Sequence, residues 1–142
     1  METAALYTLA QQRNIEVLTC PLPQTGSMSL MTDNGDCFVG MDTGIRDGSI
    51  RERVHLAHEL GHCVTGSFYN IHSPYDTRLR HEHRADKWAV EQLVPVGALD
   101  DAVAEGCTEL WELAERFGVT EQFIRKAVCL HVHGNLATEL YF

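Results

Sequence analysis

Nowhere in this chain of 142 residues does an apolar run approach the ~18 residues that a membrane-spanning helix needs. The opening Met1-Glu2-Thr3-Ala4-Ala5 has neither the basic nor the apolar stretch of a secretory leader. Basic residues are scarce. Against 20 Asp and Glu stand 11 Lys and Arg, a net charge of −9. That balance argues against direct contact with nucleic acid, whose phosphates call for a basic face. It argues equally against an anionic membrane surface. The cysteines, Cys20, Cys37, Cys63, Cys107 and Cys129, are odd in number and form no C-x-x-C. Reduced, mostly buried thiols in a cytoplasmic protein are the expectation. A hydrophobic content of 44% with 22% charged residues is ordinary for a globular chain, and the length suits one domain over 1–142.

What the chain does have is concentrated between Val54 and Gly66, V-H-L-A-H-E-L-G-H-C-V-T-G. Within it, His58-Glu59-Leu60-Gly61-His62 is an H-E-x-x-H. On a helix, positions i and i+4 share a face, so His58 and His62 can grip one ion. Glu59 stands beside them, where a carboxylate can take the proton from an attacking water. Two nitrogen ligands and a base are what a zinc hydrolase requires. The neighbours Val54, Leu56, Ala57, Leu60 and Val64 are apolar, and Gly66 falls in the place of a C-terminal cap. A mostly buried helix carrying two histidines and a glutamate fits this better than a surface helix with scattered polar residues.

Two histidines and a water leave one protein ligand to find. A metzincin would supply it through H-E-x-x-H-x-x-G-x-x-H, but Thr65 and Phe68 occupy the last glycine and histidine positions. The gluzincin alternative is a Glu on a following helix, often with an Asp one turn later that orients a ligand histidine. Glu82 and Asp86 have that spacing and would face the same way. Glu82 is the expected third ligand, and Asp86 the group behind one of the histidines.

The second block, E-H-R-A-D-K-W-A-V-E-Q-L-V-P, begins at Glu82, about twenty residues after H-E-L-G-H. The pair resembles the ImmA/IrrE family of metallopeptidases, whose members typically show H-E-[L/I]-G-H and then E-x-x-A-[D/N]-x-[F/W]-A-x-x-L-L-x-P. Matches fall at Glu82, Ala85, Asp86, Trp88, Ala89, Leu93 and Pro95. Gln92 departs, standing where the family usually has an apolar residue. The resemblance covers roughly Ile15 to the C-terminal helices. It implies a small zincin-like peptidase with one Zn2+ per chain, commonly encoded by phages and mobile elements. Characterised members of that family cut or inactivate a helix-turn-helix repressor. An acidic peptidase also suits a basic DNA-binding partner on electrostatic grounds.

Along the chain, Thr3 to Arg13 reads as a first helix and Ile15-Glu16-Val17-Leu18 as the start of a strand region. Ser27 to Thr32 and Cys37 to Asp42 read as a hairpin around Asp33-Asn34-Gly35-Asp36. The second of these strands could form the edge of a small sheet over the histidine helix, where an extended peptide would pair with it; an ordinary core hairpin fits the pattern equally well. Ser49 or a neighbour is expected to cap that helix, with Arg51, Glu52 and Arg53 as a solvated first turn. Gly61 costs about 1 kcal/mol relative to Ala inside a helix, so a close crossing, such as a strand above it, is expected. Ser67 to Leu79 reads as a loop offering Tyr69, His72 and Tyr75 as possible oxyanion stabilisers. His81 and His83 point elsewhere than Glu82, since helical neighbours diverge by about 100°. Trp88, Ala89, Gln92 and Leu93 would line the inner face of the second helix, which Pro95 ends.

Ala98 to Glu105, Glu109 to Phe117 and Glu121 to His131 read as helices, with Thr108 and Thr120 as caps of the last two. The run from Leu113 to Val128 has the form of a helix-turn-helix with Gly118 at its turn. Glu109, Glu112, Glu115 and Glu121 oppose phosphate contact, so packing or substrate docking is favoured over DNA binding. His131-Val132-His133 lacks the further ligands of a second metal site. Leu136 to Phe142 is a short tail.

The expectation is an α+β, zincin-like fold: a small β-sheet, an active-site helix, a Glu-bearing helix and a C-terminal helical cluster over about 97–133. The expected activity is that of a zinc metalloendopeptidase acting on a protein, which the family resemblance implies to be a repressor. The other reading is a metal-stabilised regulatory module that inactivates a partner without cutting it.

Overall fold

Ser49 starts the central helix, α2 (Ile50–Thr65), by accepting the Glu52 N–H at 3.4 Å, and Gly66 ends it in the left-handed region at φ 67°. These are the ends the sequence announced. The computed structural model describes residues 1–70 and 72–133. Before α2 come α1 (Thr3–Gln12) and strands β1 (Glu16–Thr19), β2 (Ser27–Met31) and β3 (Cys37–Met41). After it come α3 (Tyr75–Leu93), α4 (Val96–Ala104), α5 (Leu110–Phe117) and α6 (Glu121–His133). The class is α+β, as expected. The tail from Gly134 to Phe142 lies outside the described residues, and no described helix is long and apolar enough to cross a membrane.

The sheet has the order β1-β3-β2, so β3 is its central strand rather than an edge. It pairs in parallel with β1, Val17 opposite Val39, and antiparallel with β2, Ser29 opposite Val39. The hairpin is therefore as expected, but the free edge beside the histidine helix belongs to β2. Alternation along β3 sends Cys37, Val39 and Met41 inward against α2, where Leu56, Ala57 and Leu60 are fully buried. Leu6 and Ala10 of α1 close this core at one end. Val90 and Leu93 of α3, with Phe123 and Ile124 of α6, complete it at the other.

Three local expectations change. Arg51 is exposed, but Glu52 is buried, accepting the Tyr7 hydroxyl at 2.9 Å and the Gly48 N–H at 3.2 Å. Arg53 is no solvated residue either. Its guanidinium donates to the carbonyls of Met1, Phe117 and Gly118, tying α2 to the turn between α5 and α6. The α3 helix begins at Tyr75, so the last five residues of the expected 67–79 loop are helical. Thr120 caps α6 through the Phe123 N–H at 3.1 Å, whereas the cap position of α5 is Glu109, not Thr108.

Cys37 and Cys63 form a disulfide, contrary to the expectation that all five thiols stay reduced. The inward face of β3 lies on α2 and brings the two side chains together, a juxtaposition that no C-x-x-C spacing announces. Cys20, Cys107 and Cys129 are free. With the partners separated by 26 positions in the sequence, loop-closure entropy assigns the bridge about 3.5 kcal/mol. Reduction by excess dithiothreitol, or Cys37→Ser with Cys63→Ser, is expected to lower unfolding stability by about that amount in urea titrations. An unchanged midpoint would show that the bridge contributes nothing to the native state.

Candidate metal centre

The helical spacing of His58 and His62 puts both imidazoles on the face of α2 that meets α3. Their Nε2 atoms lie 3.2 Å apart. Glu82, two turns into α3, closes the group, with Oε2 2.8 Å from His58 Nε2 and Oε1 3.3 Å from His62 Nε2. A tetrahedral zinc with ligand bonds of about 2.0–2.1 Å keeps its ligand atoms about 3.3 Å apart. The three donors fit such an ion, and His58, His62 and Glu82 form a group able to hold one.

The orientation of each histidine is set from behind. His58 Nδ1 is 2.7 Å from Asp86 Oδ1, and His62 Nδ1 is 2.5 Å from the Ser67 carbonyl. Both partners are acceptors, so both Nδ1 atoms carry a proton and both Nε2 atoms face the common point, where their lone pairs would meet a metal once His58 is neutral. Asp86 thus stands behind His58. Lys126 of α6 reaches its other oxygen at 3.4 Å. The left-handed cap at Gly66 turns the chain so that the Ser67 carbonyl comes back over His62.

Without a metal the charges compensate one another. Burial opposes a charged His58, but its hydrogen bonds to Asp86 and Glu82 outweigh burial and lift its pKa to about 10. Burial likewise opposes ionised Glu82, yet bonds from His58, His62 and Tyr69 hold its carboxyl far below the usual range. Asp86 is lowered too, its burial outweighed by His58.

Glu59 is buried on the floor of a cleft of about 410 Å³. Leu22, Ser27, Met28 and Ser29 form one wall, Phe68 and Tyr69 the other. The β2 edge, and not β3, therefore borders the histidines. Tyr69 donates to Glu82 Oε1 at 2.5 Å, and burial with that bond pushes its pKa to about 12. His72 and Tyr75 are not part of this wall. His72 is an exposed turn residue whose N–H meets Asn70, and the Tyr75 ring, 66% exposed, carries Arg78. The His81 ring stacks on Tyr69, and His83 is half-buried.

Four participants escaped the sequence reading: Ser27, His55, Ser67 and Lys126. Only His55 left a signal, since it precedes Glu59 by four residues and so shares its helix face. Gly61 lies where the two helices touch. A Cβ there would sit 2.5 Å from the Ala85 carbonyl oxygen, so the crossing element is α3 and not a strand.

No curated protein matches this chain. The model of the IrrE N-terminal-like domain, peptidase family M78, matches residues 10–128. With both linked motifs inside that span and most of the chain covered, this protein belongs to the IrrE N-terminal-like family of metallopeptidases.

Proposed function

We propose that the chain is a single-domain zinc metalloendopeptidase of the H-E-x-x-H type, with His58, His62 and Glu82 as ligands and Glu59 as general base. One observation carries this reading. Both Nδ1 atoms are committed to outer acceptors, so both Nε2 atoms and Glu82 converge on one point beside a buried, cleft-facing carboxylate. A closed structural site has no use for such a base.

Zinc at that point would polarise the scissile carbonyl and make the attacking water more acidic. Glu59 takes the proton from that water and returns it to the leaving amine nitrogen. Asp86 holds His58 in the Nδ1–H tautomer, and the Ser67 carbonyl does the same for His62. Tyr69, alone of the three oxyanion candidates, stands at the cleft wall, with its hydroxyl on Glu82. Ser27 to Ser29 offer backbone to an extended substrate along the β2 edge. For the substrate we favour a basic helix-turn-helix repressor, on the family resemblance and the net charge of −9. Such a partner places the enzyme in the cytoplasm, where thiol reductants would meet the Cys37–Cys63 bridge.

Elemental analysis tests the ligand set. One zinc per chain is expected in the wild type, falling to a small fraction in His62→Ala and in Glu82→Ala. Zinc retained at full stoichiometry in Glu82→Ala would remove Glu82 from the ligand set. Proton release tests the same site differently. A pKa of about 10 means that metal-free His58 is protonated at neutral pH, and a ligand must be neutral. Zinc uptake in weak buffer at pH 7 is therefore expected to release about one proton per ion, with affinity rising about tenfold per pH unit below that pKa. Release of none would show His58 to be neutral before the metal arrives.

A further inference from the structure

Behind Glu59 a second chain of hydrogen bonds runs away from the metal ligands. Ser27 Oγ lies 2.7 Å from Glu59 Oε2 and 2.7 Å from His55 Nδ1. Ser27 and Glu59 are buried, and both line the clefts on either side of the catalytic position. The protons can be placed from chemistry alone. An ionised carboxylate only accepts, so the Ser27 hydroxyl donates to Glu59. Having spent its single proton, Ser27 can only accept from His55, so His55 Nδ1 bears hydrogen. The order is thus His55 Nδ1–H to Ser27 Oγ, and Ser27 O–H to Glu59 Oε2.

The local sequence makes room for this chain. Gly26 adopts φ +81°, and a Cβ there would lie 3.0 Å from His55 Cε1. The His55 ring therefore packs over a residue that must lack a side chain, directly before the serine it contacts. Burial lowers the His55 pKa, in keeping with a neutral ring.

Resting on the peptidase reading above, we infer that Ser27 and His55 are positioning residues that dedicate the two oxygens of Glu59 to different tasks. Oε2 keeps the Ser27 bond throughout, while Oε1 takes the proton from the attacking water and delivers it to the leaving amine nitrogen. No net proton is gained or lost by Ser27 or His55. Because Ser27 is the first residue of the β2 edge, the strand that borders the bound peptide also holds the base. Peptide seated along Ser27–Ser29 is thereby in register with Glu59.

The tautomer is the direct readout and needs no substrate. Nitrogen-15 NMR of the zinc-loaded protein, with His55 assigned through His55→Phe, is expected to show His55 protonated at Nδ1. In Ser27→Ala that preference is expected to weaken or reverse. Nε2–H in the wild type would overturn the inference. So would an Nδ1–H tautomer that Ser27→Ala leaves untouched. A quenched-fluorescent peptide library of randomised sequence supplies the kinetic arm. Ser27→Ala is expected to lower kcat ten- to a hundredfold with zinc content and KM little changed. His55→Phe, which keeps a ring over Gly26, is expected to lose less. The double variant should lose no more than Ser27→Ala alone, since the two act as one unit. Additive losses, or an unchanged kcat in Ser27→Ala, would refute it. Glu59→Gln in the same assay separates the two readings. If Glu59→Gln is inactive while Ser27→Ala is unimpaired, only the positioning role falls; if Glu59→Gln cleaves as fast as wild type, the general base falls and the positioning role with it.

Discussion

Glu59→Gln is expected to keep one zinc per chain and the wild-type unfolding midpoint, and to lower kcat for peptide hydrolysis by about 10²- to 10⁴-fold. The substitution is chosen for what it preserves. Glutamine retains a carbonyl oxygen in the place of Oε2, so the Ser27 hydroxyl keeps its 2.7 Å acceptor. The side-chain volume is unchanged, and no charge is left unpaired, because the immediate partner of Glu59 is a neutral hydroxyl. What disappears is basicity, since an amide cannot take the proton from water at neutral pH. The loss should appear in kcat more than in KM, because the proton moves only in the reacting complex. The same variant separates the enzyme from a module that inactivates its partner by binding. A Glu59→Gln protein that still neutralised the partner in cells, with no fragment on a gel, would favour binding over cleavage.

Much of this centre could be read from the sequence because its logic is local. His58, Glu59 and His62 sit within one and a half turns of one helix, and Glu82 and Asp86 within another. Helical spacing fixes how members of each set face. The ends of α2 were legible for the same reason, Ser49 and Gly66 being cap chemistry. What stayed hidden depends on partners distant in the chain. Alternation and the turn identify β3 and its hairpin partner β2 but not the parallel neighbour β1, so the central place of β3 in the β1-β3-β2 order could not be foreseen. Glu52 and Arg53 look like a solvated turn until Tyr7 and the carbonyls of Phe117 and Gly118 are brought to them. The first turns of α3, Y-D-T-R-L-R, carry little apolar periodicity and no side-chain cap, which is why they read as loop. Tyr75 and His72 were plausible as residue types and were placed outside the cleft by the start of that helix. Lys126 lies 40 residues along the chain from Asp86, and only the packing of α6 on α3 brings the two together.

Gly61→Ala is expected to be costly twice, in stability and in metal binding, although alanine is the better helix former. Its intrinsic gain inside a helix is about 1 kcal/mol. Against it stands a Cβ 2.5 Å from the Ala85 carbonyl oxygen and 3.0 Å from the Ala85 Cα. Both obstacles are backbone, so no rotamer change relieves them, and α2 and α3 must move apart by most of an ångström. Overpacking of this kind costs about 1–3 kcal/mol, which leaves a net loss of up to about 2 kcal/mol after the propensity gain. The larger effect falls on the site. Gly61 is the residue before His62, and Ala85 the residue before Asp86, so the contact lies among the groups that must converge. Separating the helices lengthens the 2.8 Å approach of His58 to Glu82 and the 2.7 Å bond to Asp86 together. Loss of a supporting contact alone weakens metal sites about 10- to 100-fold. Gly61→Ala disturbs a ligand and its support at once, so a loss near the upper end is expected in a competition titration against a zinc chelator. Gly61→Val, larger and β-branched, should bind worse still. A stable Gly61→Ala protein with wild-type zinc affinity would show that α2 and α3 can separate without cost. The close crossing would then be incidental to the site, and the glycine in H-E-L-G-H would need another reason.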